Sequence, residues 1–313
     1  MHGKTKVSVV MITYGHEKYI CEAIDGVLMQ EGDFDLELII ANDCSPDNTD
    51  TLVTEILQSH PKADSINYIK HEGNIGMMPN FIFALQQCRG KYIALCEGDD
   101  YWIDSFKLQK QINFLENNSD YILAFHNARV LNVANNELRL FVDLYKYSEY
   151  KAEDIFDTWL IPTASMFFRN VLGKNFPDFL TKATHGDLAI QVYLNEFGKF
   201  YAFNDVMSVY RINESSVTIN SFSSLKHNNA HIEQLKLMNS FFNRKYDVQI
   251  KRRIYLYYLR NANLYRRESI VKPLFWIFKA IALGPSITFY YKSQLINSIK
   301  IVLYTTRNFF KIK

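Results

Sequence analysis

Four short apolar runs, each followed by a turn and most of them by a helical pattern, constrain the fold of this chain more than any other feature. The runs lie at 6–13, 36–41, 66–70 and 91–96. Such runs are typical of strands that are buried on both faces of a sheet. Between the first two, apolar residues recur at helical spacing over 20–28. Strands that alternate with helices predict an α/β fold with a parallel sheet and right-handed crossovers.

Polar residues follow three of these runs directly. The first run ends at Thr13-Tyr14, the second is followed by Asp43, and the fourth is followed by an acidic cluster at 97–100. In open α/β sheets, ligands bind beyond the carboxyl ends of the strands. We therefore expect the three polar groups to meet at one edge of the sheet and to form a site there.

The acidic cluster is Glu97-Gly98-Asp99-Asp100. Three carboxylates within four residues repel one another unless a cation lies among them. Hard oxygen ligands favour Mg²⁺ or Mn²⁺, which also take oxygens from substrate phosphates. The alternative is a solvated acidic loop that caps the next helix, and the cluster by itself leaves both interpretations open.

Two further aspartates are candidates for the same site. Asp187 precedes an apolar helical stretch at 188–197, so it is either a helix N-cap or a general base that faces the site. Asp43 lies in a turn-rich stretch and is either a turn residue or an acceptor of hydrogen bonds from a base or ribose.

An ordered set of segments resembles the family 2 glycosyltransferases, which are inverting enzymes with a single-domain GT-A fold. The segments are 7–20, 36–49, 71–81, 91–111, 184–199 and 207–211. The resemblance is dense over 6–117, looser over 160–218 and absent after about 225. It implies a Rossmann-like, mainly parallel sheet flanked by helices, with a mostly helical C-terminal extension.

The resemblance also implies how a nucleotide sugar is bound. Asp43 matches the aspartate that contacts the base, and Glu97 matches the acid that contacts the ribose. The other matching positions beside the nucleotide are Thr13, Tyr14, Glu17, Asn74 and Gly76. The family pattern is altered at some positions, where this chain has Gly15 after the first tyrosine and Cys44 after the aspartate.

The same resemblance assigns the chemistry. Asp99 and Asp100 match the metal-binding acids, which implies Mn²⁺ or Mg²⁺ as cofactor. Asp187 matches the catalytic base, and Arg211 matches an arginine that closes over the diphosphate. Many relatives have histidine two residues after this arginine, where this chain has Asn213.

These assignments predict transfer of a hexosyl or N-acetylhexosaminyl group from a nucleotide sugar, expected to be a UDP-sugar, to a glycan or lipid-linked acceptor. The setting implied is the synthesis of a bacterial surface polysaccharide. Two alternatives stay open: a nucleotidyltransferase acting on sugar phosphates, and a non-catalytic relative that only binds sugar nucleotides. A nucleotidyltransferase would usually carry a glycine-rich basic loop after the first strand, and Tyr14-Gly15-His16-Glu17 is not one.

Charge divides the chain unevenly. Residues 1–243 carry a net charge of −11, whereas 244–313 hold 15 Lys and Arg against two acids, a net charge of +13. Bases interleaved with aromatic residues favour contact with an anionic membrane surface, although a helical tail packed on the acidic body would have the same composition. Nothing else in the sequence supports binding of nucleic acid.

The pattern predicts two regions. Residues 1–224 would form the GT-A domain, with a nucleotide-sugar-binding half at 1–117 and an acceptor half at 118–224, and 225–313 would form the basic helical extension. The four cysteines show no CxxC spacing and no signal peptide opens the chain, which favours the cytoplasm, at the inner face of the membrane.

Overall fold

The computed structural model describes residues 5–173, 176–213, 224–265 and 271–300. These residues divide into two compact units. The first unit comprises the described residues through Thr181 and those from Gly186 to Asn213. The second comprises Lys182–His185 and the described residues from Ser224 onward.

The first unit is built from strands and helices that alternate through its first half. Its strands are β1 (Thr5–Thr13), β2 (Phe34–Asn42), β3 (Ile66–Lys70), β4 (Tyr92–Leu95), β5 (Tyr101–Trp102), β6 (Tyr121–Asn132), β7 (Glu137–Leu140), β8 (Glu149–Tyr150), β9 (Phe167–Arg169) and β10 (Lys199–Ile212). Its helices are α1 (Ile20–Leu28), α2 (Thr49–Ser59), α3 (Met77–Gln87), α4 (Lys107–Asn117), α5 (Ala152–Asp157), α6 (Asp178–Thr181) and α7 (Gly186–Leu194). Short 3-10 turns lie at Ala63–Ser65 and Thr163–Ser165.

These strands form one sheet in the order β3-β2-β1-β4-β9-β6-β10-β5, with β7 beside β6 and β8 beside β10. The first four strands are parallel, as the alternation of apolar runs and helices predicts. Beyond β4 the sheet is mixed, because β9 runs antiparallel to both β4 and β6 while β6 and β10 are parallel. The predicted α/β architecture with flanking helices is therefore confirmed, and its second half is less parallel than its first.

The second half of the first unit also holds more regular structure than the sequence indicates. Residues 126–160 read as irregular, yet β6 continues to Asn132 and is followed by β7, β8 and α5. The run 163–168 reads as a strand, but its first three residues form a 3-10 turn and the strand begins at Phe167. The long strand β10 was not predicted.

One face of the sheet packs on α1, α2 and α4 and forms a continuous part of the core. Val9, Leu38 and Ala94 from the strands meet Ile24 from α1 in this layer, and each is fully buried. Gly26 lets α1 approach β5 closely, since a Cβ at this position would lie 2.9 Å from the backbone nitrogen of Trp102. This contact fixes the strand that directly follows the acidic cluster.

The second unit is helical, as predicted from residue 225 onward. Its helices are α8 (Leu225–Phe241), α9 (Asp247–Leu264), α10 (Val271–Ile281) and α11 (Pro285–Tyr290), and residues 292–300 are also helical. Glycine followed by proline predicts a break in the helical pattern at Gly284-Pro285, and the structure has one there: Gly284 has a φ of 129° and Pro285 opens α11. Within the described residues, no helix combines the length and the apolar character that a membrane span requires.

Candidate active site

Three strands bring their carboxyl ends to one edge of the sheet. Thr13 at the end of β1 lies opposite Asn42 at the end of β2, and Val10 lies opposite Leu95 at the end of β4. The backbone N–H of Asp43 donates to the carbonyl of Thr13 at 3.0 Å. The polar groups that follow the three strands are therefore neighbours, as the parallel arrangement predicts.

The acidic loop, defined here as Glu97–Asp100, is held tightly against the end of β1. The N–H of Gly98 donates to the carbonyl of Ile12 at 3.0 Å. A Cβ on Gly98 would lie 2.8 Å from the Thr13 hydroxyl and 2.9 Å from Nδ1 of His16, so only glycine fits without a shift. Thr13 and Gly98 thus set how closely the acidic loop approaches the first strand.

Asp99 carries its carboxylate toward two polar side chains from other elements. Asn213 donates to its Oδ2 at 3.2 Å, and Nε2 of His16 lies 3.9 Å from the same oxygen. His16 is in turn bonded to Thr13 through its Nδ1 at 3.1 Å. Asn213 therefore contacts the acidic loop directly, although it stands where many relatives have histidine.

Asp100 is buried and is tied to β10. Its Oδ1 accepts a hydrogen bond from the backbone N–H of Arg211 at 2.9 Å. Its Oδ2 is buried and has no hydrogen-bond partner. Of the two aspartates predicted to bind a metal, Asp99 is the more exposed and Asp100 is the one anchored within the protein.

The acidic loop concentrates negative charge where water is scarce. Burial raises the pKa of Glu97 to about 8, and the nearby charges of Asp99 and Asp187 add to this rise. Burial, with Asp99 and Glu97 beside it, also holds the pKa of Asp100 well above its usual range. A bound cation would relieve the repulsion that raises these pKa values.

Asp187 is the second residue of α7, and its Oδ1 accepts a hydrogen bond from the N–H of Leu188 at 2.8 Å. It therefore lies within the first turn of the helix and not at the N-cap position. The charge of Asp187 adds to the rise in the pKa of Glu97, after burial and the charge of Asp99. This contribution is compatible with the second interpretation, in which Asp187 faces the site.

The contacts of Arg211 differ from the predicted contact with a diphosphate. Its side chain is 5% exposed and forms an ion pair with Glu22 of α1. Its Nη1 donates to the backbone carbonyl of Asp99 at 2.8 Å, and its guanidinium lies 5.1 Å from the ring of Tyr19 and 4.2 Å from that of Tyr101. In this arrangement Arg211 positions the acidic loop.

Asp43 also has contacts that the sequence did not predict. It is 3% exposed, and its two carboxylate oxygens accept the backbone N–H groups of Ile75 and Gly76 at 2.7 and 2.9 Å. Gly76 has a φ of 93°, a backbone conformation that favours glycine. Asp43 thereby fixes the loop that carries the exposed Asn74 beside the same edge of the sheet.

The loop after β1 is held by hydrogen bonds to residues 45–49, the segment that leads into α2. Three successive backbone N–H groups, those of residues 15, 16 and 17, each donate to a side chain from 45–49 at 2.9–3.0 Å. The carboxylate of Glu17 in turn accepts hydrogen bonds from the backbone N–H and the side-chain amide of Asn48. Tyr14, at the tip of this loop, is 48% exposed and presents its ring at the edge of the site.

The carboxylates fit a divalent cation that is shared with a substrate. Across the described ranges, no three His, Cys, Asp or Glu side chains lie close enough to hold a metal ion by themselves. Mg²⁺ typically binds one or two protein carboxylates and takes its other ligands from phosphate and water. The partly exposed carboxylate of Asp99, with the unpartnered Oδ2 of Asp100 behind it, is compatible with this second kind of site.

Comparison with known sequences relates the chain to glycosyltransferases. A profile of the family described as Glycosyl transferase family 2 matches residues 8–176. An uncharacterized protein of Mycobacterium tuberculosis is 32% identical over 205 residues, which cover 66% of this chain and 58% of that protein. The putative teichuronic acid biosynthesis glycosyltransferase TuaG of Bacillus subtilis is 28% identical over 227 residues, which cover 71% of this chain and 85% of TuaG.

Solved structures share the fold. TarS 1–349 of S. aureus, in complex with UDP-GlcNAc, matches with a TM-score of 0.65 at 16% identity, over 97% of this chain and 92% of that chain. The mannosyltransferase PcManGT of Pyrobaculum calidifontis, in complex with GDP-Man and Mn²⁺, matches with a TM-score of 0.54 at 13% identity, over 96% and 88%. The predicted GT-A architecture is therefore confirmed.

Proposed function

The chain belongs to glycosyltransferase family 2, and on this basis we propose that it transfers a sugar from a nucleoside diphosphate donor, with inversion, to a hydroxyl group of a glycan or lipid-linked acceptor. The observation that carries the proposal is the acidic loop at the edge where β1, β2 and β4 end. The contribution of the Asp187 charge to the raised pKa of Glu97 supports Asp187 as the base of this site. The GT-A relatives solved with UDP-GlcNAc and GDP-Man support a nucleotide-sugar donor.

In the proposed reaction the acceptor hydroxyl attacks the anomeric carbon from the side opposite the diphosphate. Asp187 removes the proton from that hydroxyl, which contributes about 10²–10⁴-fold to the rate. The bond from the anomeric carbon to the diphosphate oxygen breaks as the new glycosidic bond forms, so no covalent enzyme intermediate is needed.

The other residues of the site bind and orient the donor. Glu97 binds the ribose. The nucleoside is bordered by Thr13, Tyr14 and Glu17, and by the loop that Asp43 supports, which carries Asn74 and Gly76. Asp99, with Asp100 behind it, would hold Mn²⁺ or Mg²⁺, and a cation bound there would supply Lewis-acid stabilisation of the leaving diphosphate. Arg211 acts through the acidic loop, which it holds in place from β10.

The donor we propose is a UDP-sugar that carries a hexosyl or N-acetylhexosaminyl group, and the product is part of a surface polysaccharide. The similarity to TuaG, a putative teichuronic acid biosynthesis glycosyltransferase, supports this setting. We further propose that the chain works in the cytoplasm, at the inner face of the membrane. The four cysteines are free, which fits a reducing compartment.

A donor panel tests the proposed function. Purified chain is incubated with UDP-, GDP- and dTDP-sugars and Mn²⁺, and release of nucleoside diphosphate is measured, with water or added glycans as acceptor. We expect one donor class to be turned over and expect chelation to stop the reaction. Release of pyrophosphate from a nucleoside triphosphate and a sugar phosphate would instead identify a nucleotidyltransferase. Failure to bind or turn over any donor would contradict the proposal.

A further inference from the structure

Helix α10 is apolar on two opposite faces, and only one of them is covered within the second unit. Pro273, Trp276, Ile277 and Ala280 are buried. The opposite face consists of Val271, Leu274, Phe275, Phe278 and Ile281, whose exposed fractions run from 43% to 75%. Their spacing of three and four residues places them along one stripe of the helix. Among the described residues, nothing in this unit covers that stripe.

The exposed stripe continues onto the next helix. Phe289 and Tyr290 of α11 are 78% and 55% exposed. A groove of about 480 Å³ joins the two helices, and Ile281, Thr288, Phe289 and Lys292 are among its lining residues. We define the lipid-facing surface as Val271, Leu274, Phe275, Phe278, Ile281, Phe289 and Tyr290. Contiguous apolar surfaces of this kind on a folded unit mark an interaction site.

The charge around this surface has a single sign. No Asp or Glu occurs between residues 269 and 313, whereas the described part of this range holds Lys272, Lys279, Lys292 and Lys300. The ammonium group of Lys279 lies 4.6 Å from the ring of Phe275, at the border of the stripe. Lysines beside aromatic and aliphatic side chains are the pattern of helices that lie in a membrane interface.

Over the described residues, α10 and α11 are shorter than a membrane span, which favours contact along the surface of a bilayer. The 11 residues of α10 extend about 16 Å at 1.5 Å per residue, against a hydrocarbon core of about 30 Å. A second copy that packed through the same face would bring lysines against lysines, with no acid within residues 271–300 to pair with them. An anionic bilayer offers both hydrocarbon for the stripe and phosphate for the lysines.

We propose that the lipid-facing surface of α10 and α11 docks this chain on an anionic lipid bilayer. The aromatic and aliphatic side chains enter the boundary between headgroups and acyl chains, and the lysines remain at the headgroups. This inference rests on the proposed function in one respect, namely that docking would bring the site to a lipid-linked acceptor.

Vesicle sedimentation of the full chain tests this docking. Wild-type protein is mixed with vesicles of phosphatidylcholine alone, or with 30% phosphatidylglycerol added (about one anionic lipid in three), at low and high salt. We expect binding to the anionic vesicles and its weakening by salt. Phe278→Ser with Phe289→Ser should reduce binding about tenfold or more. Lys272→Gln with Lys279→Gln should reduce it about 30-fold at low salt.

Matched controls separate these effects from a general loss of apolar or positive surface. Leu144 of the first unit is 69% exposed, so Leu144→Ser controls for the aromatic pair. Lys226 and Lys236 of α8 control for the lysine pair, as Lys226→Gln with Lys236→Gln. Both controls should bind vesicles as the wild type does.

Two outcomes would overturn the docking proposal. One is that the wild-type chain does not bind anionic vesicles, or that both double variants bind them as well as their controls do. The other is concentration-dependent self-association that the Phe278 and Phe289 substitutions abolish, without vesicle binding, which would make this face a contact between copies. Donor turnover without vesicles, measured on the same variants, reports on the proposed function separately, since the docking variants should retain it.

Discussion

The backbone N–H of Arg211 donates a hydrogen bond of 2.9 Å to the carboxylate of Asp100, across 111 residues of sequence. The side chain of the same arginine donates to the carbonyl of Asp99 and pairs with Glu22 of α1. Strand β10 therefore holds the acidic loop directly, and α1 supports Arg211 through Glu22. Burial and the charges of Asp99 and Glu97 raise the pKa of Asp100, and Arg211 opposes this rise. The contacts with Arg211 therefore help to keep the loop in place.

Arg211→Ala should displace the acidic loop and destabilise the first unit by about 1–3 kcal/mol, because it removes the side-chain donor to the carbonyl of Asp99 and the ion pair with Glu22 while the backbone N–H that binds Asp100 is kept. Urea unfolding measures the free energy, and donor turnover should fall as well. Arg139→Ala removes an exposed arginine of β7 and should change stability by less than about 0.5 kcal/mol. Equal stability of the two variants would show that Arg211 does not position the loop.

Gly98→Ala should lower activity strongly, because the added Cβ would lie 2.8 Å from the Thr13 hydroxyl and force the acidic loop away from β1. Gly73→Ala is the matched control, since a Cβ there meets nothing within 4 Å. Turnover of the donor identified by the panel measures the difference. Retention of full activity by Gly98→Ala would mean that this close approach is not required.

Asp187→Asn should separate the chemical step from donor binding. The amide keeps the shape of the side chain but cannot take a proton, so kcat should fall about 10²–10⁴-fold while the donor Kd stays within a few-fold. Titration of the donor and steady-state rates measure the two quantities. Asp120→Asn, an exposed aspartate just before β6, should change neither. A kcat close to wild type would remove Asp187 from the role of base.

The stability of the first unit should fall in acid because of Glu37 on β2. Burial raises the pKa of Glu37, but hydrogen bonds from Ser8, Lys6 and Arg89 lower it further than burial raises it. The folded pKa thus lies below the unfolded one, near 4.3, so the folded chain binds fewer protons. The stabilisation is complete above the unfolded pKa and is lost as pH falls through the folded pKa.

Glu37→Gln measures this contribution. At pH 7 the variant should be less stable by about 2 kcal/mol, and the difference from wild type should shrink as the pH falls below about 4. Urea unfolding at several pH values follows the difference, with Glu55→Gln on the exposed side of α2 as control. A difference that is independent of pH would show that the charge of Glu37 does not carry the effect.

The first half of the fold could be predicted because its signals are local. Ile66–Lys70 was predicted with its observed bounds, and the runs that became β1, β2 and β4 were found to within two residues at each end. Each is a short apolar run buried on both faces and flanked by turn residues, so the pattern lies within the segment itself. The parallel order then brought the acidic loop, Thr13 and Asp43 to one edge.

The strand β10 could not be predicted because its pattern is interrupted. Its pairing with β6 shifts register between Phe203 and Val206 and again between Val206 and Ser208. Asn204 and Asp205 occupy the irregular stretch, so apolar and polar residues do not alternate along the strand. A period of two residues is the signal for a half-buried strand, and the bulges remove it.

Two contact residues of the site were also missed. Glu22 reads as an ordinary acidic residue on the outer face of α1, and its partner Arg211 lies 189 residues away. His16 reads as part of a turn, yet its ring touches Thr13 and lies near Asp99. The contacts of Glu22 with Arg211 and of His16 with Asp99 join residues that are distant in sequence, so no local pattern predicts them.

Nucleotide binding with and without Mn²⁺ tests the central claim most directly, since it needs no acceptor. Calorimetric titration of UDP, or of the nucleoside diphosphate of the donor that the panel identifies, should show binding that requires Mn²⁺ or Mg²⁺ and that Asp99→Asn weakens at least about tenfold. Asp35→Asn, an exposed aspartate at the start of β2, should bind as the wild type does. Binding that is equally strong without metal and in Asp99→Asn, or no binding of any nucleoside diphosphate by the wild type, would contradict the account.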